Sequence, residues 1–149
     1  MEKTGYQYTE SGLSNVWLVN GYTIRNGKYG KGVSIHDVDG LHKAIGNALA
    51  HKSRLTGAEV RFLRKEMGLS QRGLGELLGV KDQSVALWER KGQLPKTADR
   101  LLRLIYLEHE RGNPPIVRFI RDLNELDQKA GEKIIAQETN GEWEARAAA

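Results

Sequence analysis

The 149-residue chain contains no cysteine, which excludes a disulfide framework and any thiolate-bound zinc. It has no apolar run near the ~20 residues needed to span a bilayer. Its first twelve residues, MEKTGYQYTESG, lack the apolar core of a secretion signal. There are no internal repeats and no low-complexity segment. Proline is scarce: the three stand at 95, 114 and 115, so chain breaks enforced by proline fall only there. Hydrophobic residues make up 39% and charged residues 28%, values close to those of globular domains, which excludes global disorder. The expectation is a soluble, cytoplasmic protein that folds without metal or cofactor and has no membrane partner.

The net charge of +4 is unevenly spread. Residues 51–121 carry 15 basic and 8 acidic side chains, whereas residues 122–149 carry 3 and 7. A basic block followed by an acidic tail attracts polyanions to the middle of the chain.

Three segments are expected: residues 1–52, 53–111 and 112–149. In the first, the β-branched and aromatic Asn15–Val19, the dipeptide Asn20-Gly21 and then Tyr22–Arg25 read as a hairpin closed by a type I′ turn. A glycine-rich loop, Asn26–Gly32, leads to a third strand, Val33–Ile35, and a helical pattern follows over Asp37–Leu49. This small β-sheet-plus-helix unit is expected to serve dimer or partner binding.

Residues 53–111 read as four short helices. Thr56 with Glu59 forms a capping box, and Gly68 ends the first helix. Ser70 caps a second, Gln71–Leu78, closed by Gly79. The third runs from about Asp82 to Arg90 with Val85 and Trp88 inward, and the fourth begins at Pro95. Beyond Gly112–Pro115, an amphipathic helix spans Pro115–Leu126. Lys133–Glu138, Asn140-Gly141 and Glu142-Trp143 then form a second hairpin signal, with Ala145–Ala149 frayed. The fold class expected is mainly α: a lambda-repressor-like helix-turn-helix bundle of about five helices, with a small N-terminal β-sheet/helix unit and a C-terminal β-hairpin.

The functional signal lies in Arg61–Leu94. Two short helices are joined by the tight Leu78-Gly79-Val80 turn, and the second is pinned from behind by Val85 and Trp88. Its polar front carries Asp82, Gln83, Ala86, Leu87 and Arg90, and a helix held in this way fits the major groove of B-DNA. The segment resembles the XRE (Cro/repressor-type) helix-turn-helix family. The resemblance rests on Gly68-Leu69-Ser70-Gln71, on Leu78-Gly79-Val80 and on Val85-x-x-Trp88-Glu89-Arg90, with the spacing kept over about 50 residues. The helix Ala98–Arg103 and the small β unit are similar to the antitoxin-like subgroup around MqsA and HigA. The cysteine-bound zinc of MqsA-type proteins does not carry over to a chain without cysteine.

The resemblance implies DNA-binding roles for Gln71, Arg72, Lys81, Asp82, Gln83, Ser84, Leu87, Arg90 and Lys91. Gln71, at a helix N-terminus, suits a phosphate. Gln83 matches the adenine edge, Leu87 a thymine methyl and Asp82 a cytosine amine, while Lys81 and Arg90 suit phosphate or guanine. Arg64 and Glu89 are implied to form an inter-helix ion pair, and Trp88 is read as core. Gly75 is a site where the family keeps a small residue so that the helices can approach, whereas Gly73 has no such reason. Lys65, Arg100 and Arg103 are read as solvated.

His36, Asp37, Asp39 and His42 lie within seven residues, but the expectation is that an aspartate caps the following helix and His42 sits on its surface. The Asn26–Gly32 loop lacks the Lys-Ser/Thr ending of a phosphate cradle and leads to a strand. No nucleophile–base spacing supports catalysis, so an enzyme is not expected. The resemblance implies a nucleoid-associated, sequence-specific double-stranded-DNA-binding transcriptional regulator, a repressor binding a palindromic operator as a homodimer. The alternative is an antitoxin of a type II toxin–antitoxin pair that neutralises a cognate toxin and represses its own operon. The toxin would be met around Trp17, Tyr22 and Tyr29, or by the acidic tail.

Overall fold

The computed structural model describes residues 5–112, 115–126 and 132–148. Among them run, in chain order, strands β1 (Tyr6–Gln7), β2 (Trp17–Leu18), β3 (Tyr22–Gly27) and β4 (Gly30–Ile35). Helices α1 (Val38–His51), α2 (Gly57–Glu66), α3 (Gln71–Leu78), α4 (Asp82–Lys91), α5 (Lys96–Glu110) and α6 (Pro115–Glu125) follow, and then strands β5 (Lys133–Thr139) and β6 (Glu142–Ala148). The fold is mainly helical, with antiparallel strand pairs towards both ends.

The helix boundaries follow local chemistry. The Thr56 hydroxyl accepts from the Glu59 amide at 3.2 Å, and the Glu59 carboxylate accepts from the Thr56 amide at 2.8 Å, so two donors left over at the start of α2 are satisfied reciprocally. Ser70 caps α3 through the Gly73 amide at 2.9 Å. Gly79 and Gly92 close α3 and α4 in the left-handed region, at φ 73° and 71°. Lys81 occupies the N-cap of α4 with no side-chain hydrogen bond, so the helix starts at Asp82.

Among the described residues one core runs through α1 to α5 and the N-terminal segment. Val60, Leu63, Leu74, Val85, Leu102 and Ile105 are wholly buried, with Phe62, Leu77, Trp88 and Tyr106 around them. The N-terminal segment joins this core through Tyr8, Leu13, Leu18, Ile45 and Leu49. Gly46 of α1 lets Tyr106 of α5 come close, since an added Cβ would sit 1.8 Å from the tyrosine oxygen.

The N-terminal strands depart from the expected sheet. Residues 17–18 pair with Tyr6–Gln7 and not with β3, while β3 pairs with β4 in the register Tyr22↔Ile35 to Gly27↔Gly30. The Asn20-Gly21 hairpin does not form, because only Gly21 takes a positive φ (81°) and a type I′ turn needs both residues there. The chain turns instead at Lys28-Tyr29, between two glycines, of which Gly30 has φ 115°. The expected glycine-rich loop is thus the outer half of a hairpin, and the expected single sheet is two separate strand pairs.

The C-terminal hairpin forms around Asn140 (φ 53°) and Gly141 (φ 82°), where asparagine and glycine accept left-handed backbone. It extends further than expected: Ala145–Ala148 pair with Lys133–Ala136 and are not frayed, while Ala149 lies outside the described residues. The break at Gly112–Pro115 lies partly outside them too. Among the described residues no helix is long and apolar enough to cross a membrane.

Candidate nucleic-acid interface

Helices α3 and α4 pack against each other across the Leu78–Val80 turn, and their placement is set by two devices. One is close backbone approach. A Cβ on Gly75 would lie 2.6 Å from the Val80 carbonyl oxygen, and one on Gly57 would lie 2.1 Å from the Glu89 carbonyl oxygen. These glycines bring the turn against α3 and the end of α4 against the start of α2. Gly73 also has a tight neighbour, with its Cβ position 3.3 Å from the Ser70 hydroxyl oxygen.

The second device is an ion pair. Arg64 of α2 donates to Glu89 of α4 through Nε at 2.7 Å and Nη2 at 3.0 Å, and through Nη1 to the Leu69 carbonyl at 2.9 Å. The two side chains are only 10% and 7% exposed. Two parallel bonds in a dry site fix orientation as well as distance.

Val85 and Trp88 are buried behind α4. On its front Lys81, Asp82, Gln83, Leu87, Arg90 and Lys91 are exposed, with Ser84 half-buried. Leu87 keeps 43% of its surface in water, an apolar side chain presented outward from a helix whose other apolar residues are inside. Asp82 accepts from the Gln83 amide at 2.9 Å, in the first turn, where a carboxylate complements the helix dipole. Arg72 of α3 is exposed and reaches Glu76 at 3.5 Å, a surface pair that contributes little. Gln71 is half-buried, and its amide donates to Glu89 Oε1 at 3.3 Å. The ion pair thus also holds the first residue of α3.

Several polar residues play parts that spacing did not reveal. Arg103 is not solvated: its side chain is 12% exposed, pairs with Asp99 at 2.8 Å and donates to the carbonyls of Ala50, Lys52 and Ser53, closing the end of α1. Arg100 is exposed and also meets Asp99, and Lys65 is exposed. Glu59 is wholly buried and accepts from Lys52, from the Thr56 amide and from Asn15. Burial alone raises its pKa, but these donors outweigh it and hold the carboxyl below its ordinary value. Burial, assisted by Glu110 and Glu66, pushes Tyr106 up to about 12.

The His36–His42 cluster is divided by the fold. Asp37 caps α1 through the Gly40 amide at 3.1 Å. His42 is not simply on the surface: it lies between the Tyr8 hydroxyl, 2.7 Å from Nε2, and Glu66, 3.2 Å from Nδ1. Among the described residues no group of three potential ligands gathers to hold a metal. Of the three aromatic residues assigned to a toxin surface, Trp17 and Tyr22 are half-buried, and only Tyr29, 97% exposed, is fully presented.

With this geometry in place, residues 60–105 match the family model described as helix-turn-helix. The matched span runs from the middle of α2 to the middle of α5 and covers about a third of the chain. It makes this part of the chain a helix-turn-helix domain of the DNA-binding, transcription-regulating type. No curated protein and no solved structure gives a significant match.

Proposed function

Starting from a helix-turn-helix domain, we propose that the protein is a sequence-specific double-stranded-DNA-binding repressor that reads a palindromic operator as a homodimer. The observation that carries the reading is the two-sidedness of α4. Val85 and Trp88 lock its back, Glu89 fixes its angle through Arg64, and a mixed polar and apolar front is left in water. Such a front serves direct readout: Gln83 for an adenine edge, Leu87 for a thymine methyl, Asp82 or Ser84 for a neighbouring base. Lys81, Arg90, Lys91 and Arg72, with the second amide hydrogen of Gln71, serve phosphates and set the register.

Dimerisation is supported by α6. Ile116, Val117 and Ile120 pack on the core, while Phe119, Leu123 and Leu126 remain 62%, 49% and 63% exposed. At spacings of four and three, these three residues form one apolar stripe, suited to the same stripe on a second copy about a two-fold axis. The antitoxin reading is supported by the β5–β6 hairpin. Ile134 and Trp143, on one face of it, are 66% and 71% exposed, and Glu138, Glu142 and Glu144 suit a basic protein partner.

The test is a salt-titrated binding assay on duplexes enriched from a random-sequence pool. Affinity is expected to fall steeply with salt as phosphate contacts release counterions. Gln83→Ala is expected to lose roughly 1–3 kcal/mol of preference at one base position. Unchanged discrimination in Gln83→Ala would remove the assigned reader.

A further inference from the structure

We propose that the β3–β4 hairpin is a second DNA-contacting element, a basic ribbon that lies along the duplex backbone beside the half-site read by α4. The proposal rests on the DNA-binding reading of α4 and adds a surface to it.

The first observation is charge. No acidic residue stands between Glu10 and Asp37, and the hairpin holds Arg25, Lys28 and Lys31 within seven positions. All three are exposed, and among the described residues none has an ion-pair partner. Tyr29 stands at the tip, 97% exposed. Among the described residues the ribbon is anchored at its base. Tyr22 and Ile35 pack against the core there, the Tyr22 and Tyr6 rings lie tilted with centroids 5.5 Å apart, and the His36 amide donates to the Gly21 carbonyl at 2.8 Å. Six residues per strand at about 3.3 Å each give an arm of roughly 20 Å, and a two-stranded ribbon fits a DNA groove.

The second observation is a bare face. The register places Thr23, Arg25 and Gly27 on one side with Ser34, Gly32 and Gly30. Gly30 has the positive φ that calls for glycine, but Gly27 and Gly32 do not. A Cβ on Gly32 would meet nothing within 4 Å, and one on Gly27 only an ordinary contact at 3.6 Å. Neither backbone conformation nor internal packing asks for these two glycines. Glycine within a strand weakens it and marks a site where another backbone comes close. Here Arg25 is the one long side chain on an otherwise flush face, which with Lys28 in the turn suits contact with a sugar–phosphate strand, while Lys31, opposite Asn26, lies on the other face.

The third observation is position. His42 near the start of α1 meets Glu66 at the end of α2, and Lys52 just beyond α1 meets Glu59 near the start of α2. The two helices are therefore antiparallel, and the hairpin, which feeds α1, leaves the body at the end of α2. Four residues after Glu66, Ser70 caps α3, whose first turn carries the proposed phosphate contacts Gln71 and Arg72. The arm therefore springs from the end of α2 that leads into α3.

The experiment uses the full-length protein and duplexes it enriches from a random pool, long enough to flank the site by one helical turn. The triple variant Arg25→Gln, Lys28→Gln, Lys31→Gln is compared with Gly32→Val and with Gln83→Ala, with folding checked by far-ultraviolet circular dichroism. The triple variant is expected to bind on the order of tenfold more weakly, with a salt slope shallower by about two and a shortened footprint on one flank. Its operator-over-random preference should stay intact. Gly32→Val, with a better strand former, is expected to keep or raise the melting temperature while weakening binding. An unchanged slope and footprint in a folded triple variant would overturn the arm while leaving α4 untouched, as would a Gly32→Val protein of full affinity. Loss of operator preference in the triple variant would also overturn it. Absence of any preference in the wild type would instead remove the reading on which the arm rests.

Discussion

Removing Glu89 tests how α4 is held. In Glu89→Ala the Arg64 guanidinium, 10% exposed, keeps only the Leu69 carbonyl, and Gln71 loses its acceptor. A buried charge stripped of its partner costs about 3–5 kcal/mol. For a chain of this size each kcal/mol moves the melting temperature by about 2–4 °C, so a drop of roughly 6–20 °C is expected. The reverse single variant, Arg64→Met, strands Glu89 and should cost a similar amount. The double variant Arg64→Met/Glu89→Leu replaces the pair by apolar side chains of similar reach. It should recover most of the loss, because a buried pair and a well-packed apolar pair differ little in net stability. Thermal and urea unfolding of the four proteins close the cycle. A cost below about 1 kcal/mol for Glu89→Ala, the value of an exposed pair, would refute the claim that this contact is dry and sets the angle of α4.

Gly57→Ala places a methyl 2.1 Å from a backbone oxygen that cannot rotate away. It should lower DNA affinity more than stability alone explains, measured by titration well below the melting temperature. Gly46→Ala should cost about 1–3 kcal/mol through overpacking against Tyr106, read from urea midpoints. Glu59 has a folded pKa below its unfolded value, so its contribution is present above the ordinary 4.5 and is lost as pH falls through the folded value. Glu59→Gln should flatten the acid limb of the stability profile while lowering the plateau. Tyr106 has the opposite sign: its contribution is complete below pH 10.0 and lost as pH rises towards about 12. Alkaline unfolding should therefore weaken in Tyr106→Phe.

The helix-turn-helix was legible because its punctuation is local. Thr56 with Glu59, Ser70, Gly68 and Gly79 act within one turn of the positions they define. The front and back of α4 followed from helical period alone. The N-terminal strands were legible as segments but their pairing was not, since Asn20-Gly21 and the Gly27–Gly30 segment both carry turn chemistry. What decides between them is the tertiary pairing of Trp17-Leu18 with Tyr6-Gln7. Arg103 was misread for a similar reason: the carbonyls it closes lie about fifty residues back along the chain. The one local hint was its spacing of four from Asp99. The partners of His42, Tyr8 and Glu66, are likewise brought together only by packing. Gly57 carried no sequence sign at all, because the backbone it admits belongs to α4.

The most direct test is whether the intact protein selects a DNA sequence. Repeated rounds of enrichment from a random duplex pool, followed by sequencing, should yield two inverted half-sites with centres about one helical turn apart. Replacing Gln83 should change the consensus at one position in each half. A wild-type pool that stays random after enrichment would contradict the claim that α4 reads DNA.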